Sequence, residues 1–128
     1  MCLFFLLNVA IRGPKANEHQ ASIVEALRAI PDVSDASVTR SSSSGKTGFG
    51  VAERKLVSGL PVSEVRSFYK NKLEQQGWTP GCERFIGDRD RIVFVRNADA
   101  AILDLPKAAD SQITGEYSLQ LWWGENYC

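Results

Sequence analysis

The chain has 128 residues, 44% hydrophobic and 23% charged, with 15 Lys plus Arg balanced by 15 Asp plus Glu; this suits one compact folding unit and excludes wholesale disorder or two full-sized domains. Zero net charge removes the electrostatic basis for binding a polyanion, so no nucleic-acid partner is expected. Cations and acids divide 13 to 10 over residues 1–91 and 2 to 5 over residues 92–128, a split modest enough to reflect differently solvated faces.

Ten of the first eleven residues are apolar, Asn8 being the exception, and Arg12, Gly13, Pro14 and Lys15 end the run. As a helix eleven residues reach about 17 Å, short of the roughly 30 Å hydrocarbon core, so the run alone cannot span. Three readings compete: the end of a transmembrane or signal segment whose beginning is absent, a complete signal peptide, and an element buried in the core. The complete signal peptide fits worst, because there is no basic lead and no small-x-small pattern near Ala10 or Ala16. The truncated membrane anchor is preferred, which divides the chain into an apolar N-terminal segment over 1–14 and a single domain over 15–128. Arg12 and Lys15 would by themselves hold the domain in the cytoplasm, unless charges upstream reverse the orientation.

From Asn17 a helix is expected, with Asn17 capping its first turn and Gln20 in the reciprocal position. Ile23, Val24, Leu27 and Ile30 share one face, and Pro31 ends the helix. A short strand follows over Ala36 to Thr39. The Ser- and Gly-rich run Arg40 to Gly50 reads as a flexible hairpin connection into a strand from about Phe49 to Val57. Pro61 opens a second helix and Gly77 closes it, with Val62, Val65, Phe68, Tyr69 and Leu73 on one face.

Beyond Trp78 the apolar period falls to two. Strands are expected over Cys82 to Ile86, Arg91 to Arg96 and Ala100 to Leu105, joined by turns at Gly87 to Asp90 and Asn97 to Asp99. After a polar loop over Pro106 to Thr114, a last strand puts Tyr117, Leu119, Leu121 and Trp123 on one face and Ser118, Gln120 and Trp122 on the other. The order α-β-β-α-β-β-β-β with hairpin-linked strands predicts an α+β fold, two helices packed on one face of a largely antiparallel sheet.

Phe68, Tyr69, Leu73, Gly77 and Trp78 spell FYxxxLxxxGW, preceded by Leu60, Pro61 and Val65. This resembles a pattern in small bacterial envelope-associated domains of unknown function, over Leu60 to Trp78 only. The resemblance implies a place outside the cytoplasm on a membrane tether, and it assigns no chemistry to any residue.

Sites of familiar chemistry are poorly supported. Gly45, Lys46 and Thr47 resemble the end of a phosphate-binding loop, but Arg40 stands where its first glycine belongs and a strand follows where a helix should. His19 has no ligand set at metal spacing and reads as a solvated surface histidine, so no cofactor or metal is expected. The alternating charges Asp88, Arg89, Asp90 and Arg91 read as a turn whose members neutralise one another in solvent.

Two features stand out. In an oxidising compartment Cys82 and Cys128 are candidates for a disulfide that ties down the C-terminal tail, two reduced thiols being the alternative. Trp122, left on the polar face with Gln120 and Ser118, is a candidate ligand or partner surface unless another segment covers it. The chain therefore reads as a membrane-tethered accessory or binding domain facing the bacterial envelope space, its partners being the membrane through the N-terminal segment and an envelope protein. Catalysis is not expected; the rival reading is a small hydrolase or ligand-sensing domain, which needs a cleft with convergent polar groups.

Overall fold

A computed structural model describes residues 17–107, 116–124 and 128. The apolar N-terminal segment, on which the anchor reading rests, lies outside the described residues, as does most of the expected polar loop. The fold is α+β, in the expected order. Helix α1 covers residues 17–28. Strands β1 (Ser37–Lys46) and β2 (Phe49–Val57) form a hairpin, α2 (Val62–Gln75) follows, and β3 (Thr79–Ile86), β4 (Arg89–Arg96), β5 (Asp99–Pro106) and β6 (Tyr117–Trp123) complete the chain. One six-stranded antiparallel sheet results, in the order β1-β2-β6-β5-β4-β3, so the last strand is inserted beside β2 at the centre.

The two apolar periods meet in one core. Ile23, Leu27 and Ile30 from the first helical segment and Val62, Val65, Tyr69 and Leu73 from α2 pack on Leu56, Phe94, Leu103, Leu105, Leu119, Leu121 and Trp123 from the sheet. The motif residues have structural tasks. Phe68 packs half-buried at the margin of the core, Tyr69 and Leu73 are fully buried, Gly77 reverses the chain at φ +90°, and buried Trp78 carries the Arg96 guanidinium 4.4 Å from its ring centre.

A charged group is set into this core. Arg54, with its side chain 11% exposed, donates to the carbonyls of Leu27 (2.8 Å) and Ile30 (2.7 Å) at and just past the end of α1 and pairs with Asp32 at 2.8 Å. Tyr69 donates its hydroxyl to Asp32 at 2.8 Å and lies 2.7 Å from the Tyr117 hydroxyl, which therefore donates in turn. Burial pushes the Tyr69 phenol well above its ordinary range and that of Tyr117 up to about 12, so both remain protonated donors. One arginine thus ties α1, β2, α2 and β6 together.

The structure corrects three local expectations. Arg40 to Lys46 is no flexible connection but the body of β1, paired residue for residue with β2 up to a two-residue turn at Thr47 and Gly48. Backbone pairing on an edge strand needs no apolar side chain, so the Ser run carried no strand pattern. Gln20 does not close a capping box. Its amide donates to the Val51 carbonyl and accepts from the Trp123 indole, in a space a Gly50 side chain would fill, since a Cβ there would lie 2.0 Å from Gln20 Oε1. His19 is not simply solvated: its ring stacks on Trp123 at 4.5 Å and Nε2 lies 2.8 Å from Asp99 Oδ1.

Candidate functional site on the open face of the sheet

Both helices cover one face of the sheet; the candidate residues lie on the other. Strand alternation sends Ser118, Gln120 and Trp122 to this open face, and the register sets each in a rung across β2, β6 and β5. Val51, Trp122 and Ala100 form an apolar rung. Glu53, Gln120 and Ile102 form a mixed one, and Lys55, Ser118 and Asp104 a charged one. Polarity therefore rises steadily along β6 over less than one strand length.

Hydrogen bonds fix the row. The Trp122 indole N–H donates to Gln120 Oε1 at 2.8 Å, and Gln120 Nε2 donates to Glu53 at 2.6 Å and to Ser118 Oγ at 3.4 Å. The sheet brings the three predicted residues together as one connected strip, with Trp122 half-buried at its apolar end, Gln120 half-buried in the middle and Ser118 buried at its polar end. There Trp122 packs with Cys82 against Val93, Ala100 and Ile102, each no more than 3% exposed although, among the described residues, no helix lies on this side.

At the polar end is a groove of about 260 Å³ whose charged wall the sequence reading missed. Asp104 accepts from Arg89 Nε at 2.8 Å and from Arg91 Nε at 3.2 Å, and Arg89 also reaches the Glu116 carbonyl at 3.0 Å. Arg89, Asp90 and Arg91 are not a solvated turn. They lie within β4, so alternation sends both arginines to the open face and Asp90 to the helix side.

Asp90 is buried there, with one oxygen on Arg66 at 3.1 Å and the other without a hydrogen-bond partner among the described residues. Burial first, and the adjacent Glu83 carboxylate second, push its carboxyl up to about 6. A carboxyl that protonates more readily in the fold than in the unfolded chain, where 3.8 is normal, adds stability below about pH 4 and loses it as pH rises through about 6. Asp90→Asn is accordingly expected to raise unfolding stability at pH 7 by on the order of 1–2 kcal/mol and to change it little at pH 4. Urea titrations at the two pH values measure this difference.

Cys82 and Cys128 are joined, S–S 2.08 Å, with Cα atoms 5.7 Å apart. Gly124 leaves the end of β6 in the centre of the sheet, and Cys128 is held on β3 at its edge. The open face thus presents a fixed strip, a charged groove and a covalent link to the chain terminus, an arrangement suited to holding a partner by hydrogen bonds and apolar contact. Among the described residues no group of three or more His, Cys, Asp or Glu could hold a metal ion, and no helix is long and apolar enough to cross a membrane. No family model, curated protein or solved structure matches the chain.

Proposed function

We propose that this chain is a non-catalytic binding domain, held at a bacterial membrane by its N-terminal segment, facing the envelope space and engaging an envelope protein through the open face of its sheet. The observation that carries the reading is the Cys82–Cys128 link beside Trp122. Structural disulfides persist in oxidising compartments, and this one stands at the border of the fixed strip Trp122, Gln120 and Ser118. The polar groups near the strip are already engaged with one another, Asp104 by two arginines and Gln120 by Glu53, which favours recognition over proton transfer.

The test places a photo-crosslinking side chain at Gln120, and separately at Ser63 on the exposed face of α2, in the full-length protein in its native membranes. A discrete adduct is expected from position 120 and none from position 63, with Cys82 and Cys128 resistant to alkylation until reductant is added. Equal labelling from both positions, or free thiols in material recovered from the cytosol, would overturn the reading.

A further inference from the structure

We propose that the outer edge of β1 is a strand-addition site for an extended acidic segment of another protein. The inference rests neither on the tether nor on the open face. The two edges of the sheet differ. The β3 edge is blunted by Pro80, by a register shift between Pro80 and Glu83, and by the disulfide at Cys82. The β1 edge has ten residues, all exposed, without proline; its register shifts between Val38 and Arg40, but from Arg40 to Lys46 the pairing is regular, and between those two residues it carries only Ser41 to Ser44 and Gly45.

Hydrogen-bond direction follows from the hairpin. Lys46 and Phe49 flank the two-residue turn, so their N–H and C=O groups face each other. Alternation then turns those of Ser41, Ser43 and Gly45 outward, a ladder ready for another strand. The same alternation puts the Ser41 and Ser43 side chains on the helix side, opposite Arg54 and Ala52. Here a groove of about 410 Å³ runs between β1 and α1, with Val24, Leu27 and Ala52 in its lining. A strand added to β1 would offer every second side chain to this groove while its backbone pairs with the edge, the two-part recognition that gives added strands both affinity and selectivity.

Charge decides the occupant. Arg40 and Lys46 both fall on the open-face side, about 20 Å apart along the strand, and β1 has no carboxylate of its own. Among the described residues, Glu53 on the paired strand β2 is engaged by Gln120, and Glu116 by the Thr39 hydroxyl. A second copy pairing antiparallel about Ser43 would set Arg40 against Lys46, like charges directly opposed. A segment with a carboxylate at each end and apolar side chains at alternate positions fits instead.

The probe is the blocked heptapeptide Asp-Val-Thr-Leu-Thr-Val-Asp, titrated into the full ¹⁵N-labelled chain and compared with its analogue bearing Lys at both ends. Amide shifts centred on Ser41, Ser43 and Gly45 are expected, with the lysine analogue binding at least about tenfold more weakly. Ser43→Pro removes an outward N–H that β2 does not use, and is expected to weaken binding by roughly tenfold or more with unfolding unchanged. Should Ser43→Pro disturb β1 itself, the double variant Arg40→Glu, Lys46→Glu, which leaves the backbone intact, must invert the preference between the peptides. The proposal fails if no shift is seen at about 1 mM peptide, if both peptides bind equally, or if the shifts centre on Trp122. It also fails if the chain alone runs as a dimer that Ser43→Pro dissolves, which would make a second copy the occupant.

Discussion

Arg54→Met is expected to lower the stability of the fold by about 3–5 kcal/mol, the cost of breaking a buried ion pair from one side. The methionine fills most of the same volume, so the loss reads out the charge rather than a cavity. Three acceptors are stranded at once: the Leu27 and Ile30 carbonyls at and just past the end of α1, and the Asp32 carboxylate, which among the described residues keeps the Tyr69 hydroxyl. For a domain of this size such a loss corresponds to a drop in Tm of roughly 10–20 °C. Urea unfolding of Arg54→Met, Asp32→Asn and the double variant separates the pair from its surroundings, because the double variant should cost less than the two singles together. A loss under about 1 kcal/mol for Arg54→Met would mean that water reaches these groups in solution.

That residue also marks where the sequence stopped being legible. In β2 the alternation Ala52, Arg54, Leu56 already put an arginine on the inward side. The count was available, but partners 22 to 27 positions away were not. Long-range register cannot be read from local pattern, and a buried charge acquires its meaning only from what register brings to it. The same holds for Asp104. Its arginines sit on β4 at 89 and 91; the expected strand already began at Arg91, but placing Arg89 in the preceding turn hid the fact that the two share a face with Ser118.

Where local physics suffices, the elements were plain. The apolar stripe of α2, the left-handed Gly77 and the alternation of β6 each follow from local pattern, and the expected apolar positions are buried, with Phe68 half-exposed at the margin; Ser118, expected on the wet face of β6, is buried as well. Strand β1 is the converse. Exposed on both faces, it has no side-chain period to detect, and it exists through its backbone pairing with β2. Sequence patterns report burial, so an edge strand that buries nothing is silent, though its outer ladder, unpaired among the described residues, makes it a natural place for a partner to add.

Breaking the Cys82–Cys128 link is expected to cost about 2–4 kcal/mol, and the effect should be the same however it is broken. The bond closes a stretch of chain with a sequence separation of 46, and removing it restores conformational freedom chiefly to the unfolded state. Cys82→Ala, Cys128→Ala and the double variant should therefore lose nearly equal amounts, since any one of them opens the same loop. Dithiothreitol should shift the urea midpoint of the parent chain to that of the variants and leave the variants unmoved. Unequal singles would show that Cys82 also matters as packing against Val93 and Ile102, where it belongs to the open-face cluster. A parent curve indifferent to reductant would mean that the two sulfurs never join in solution, and the oxidising address would lose the observation that supports it most directly.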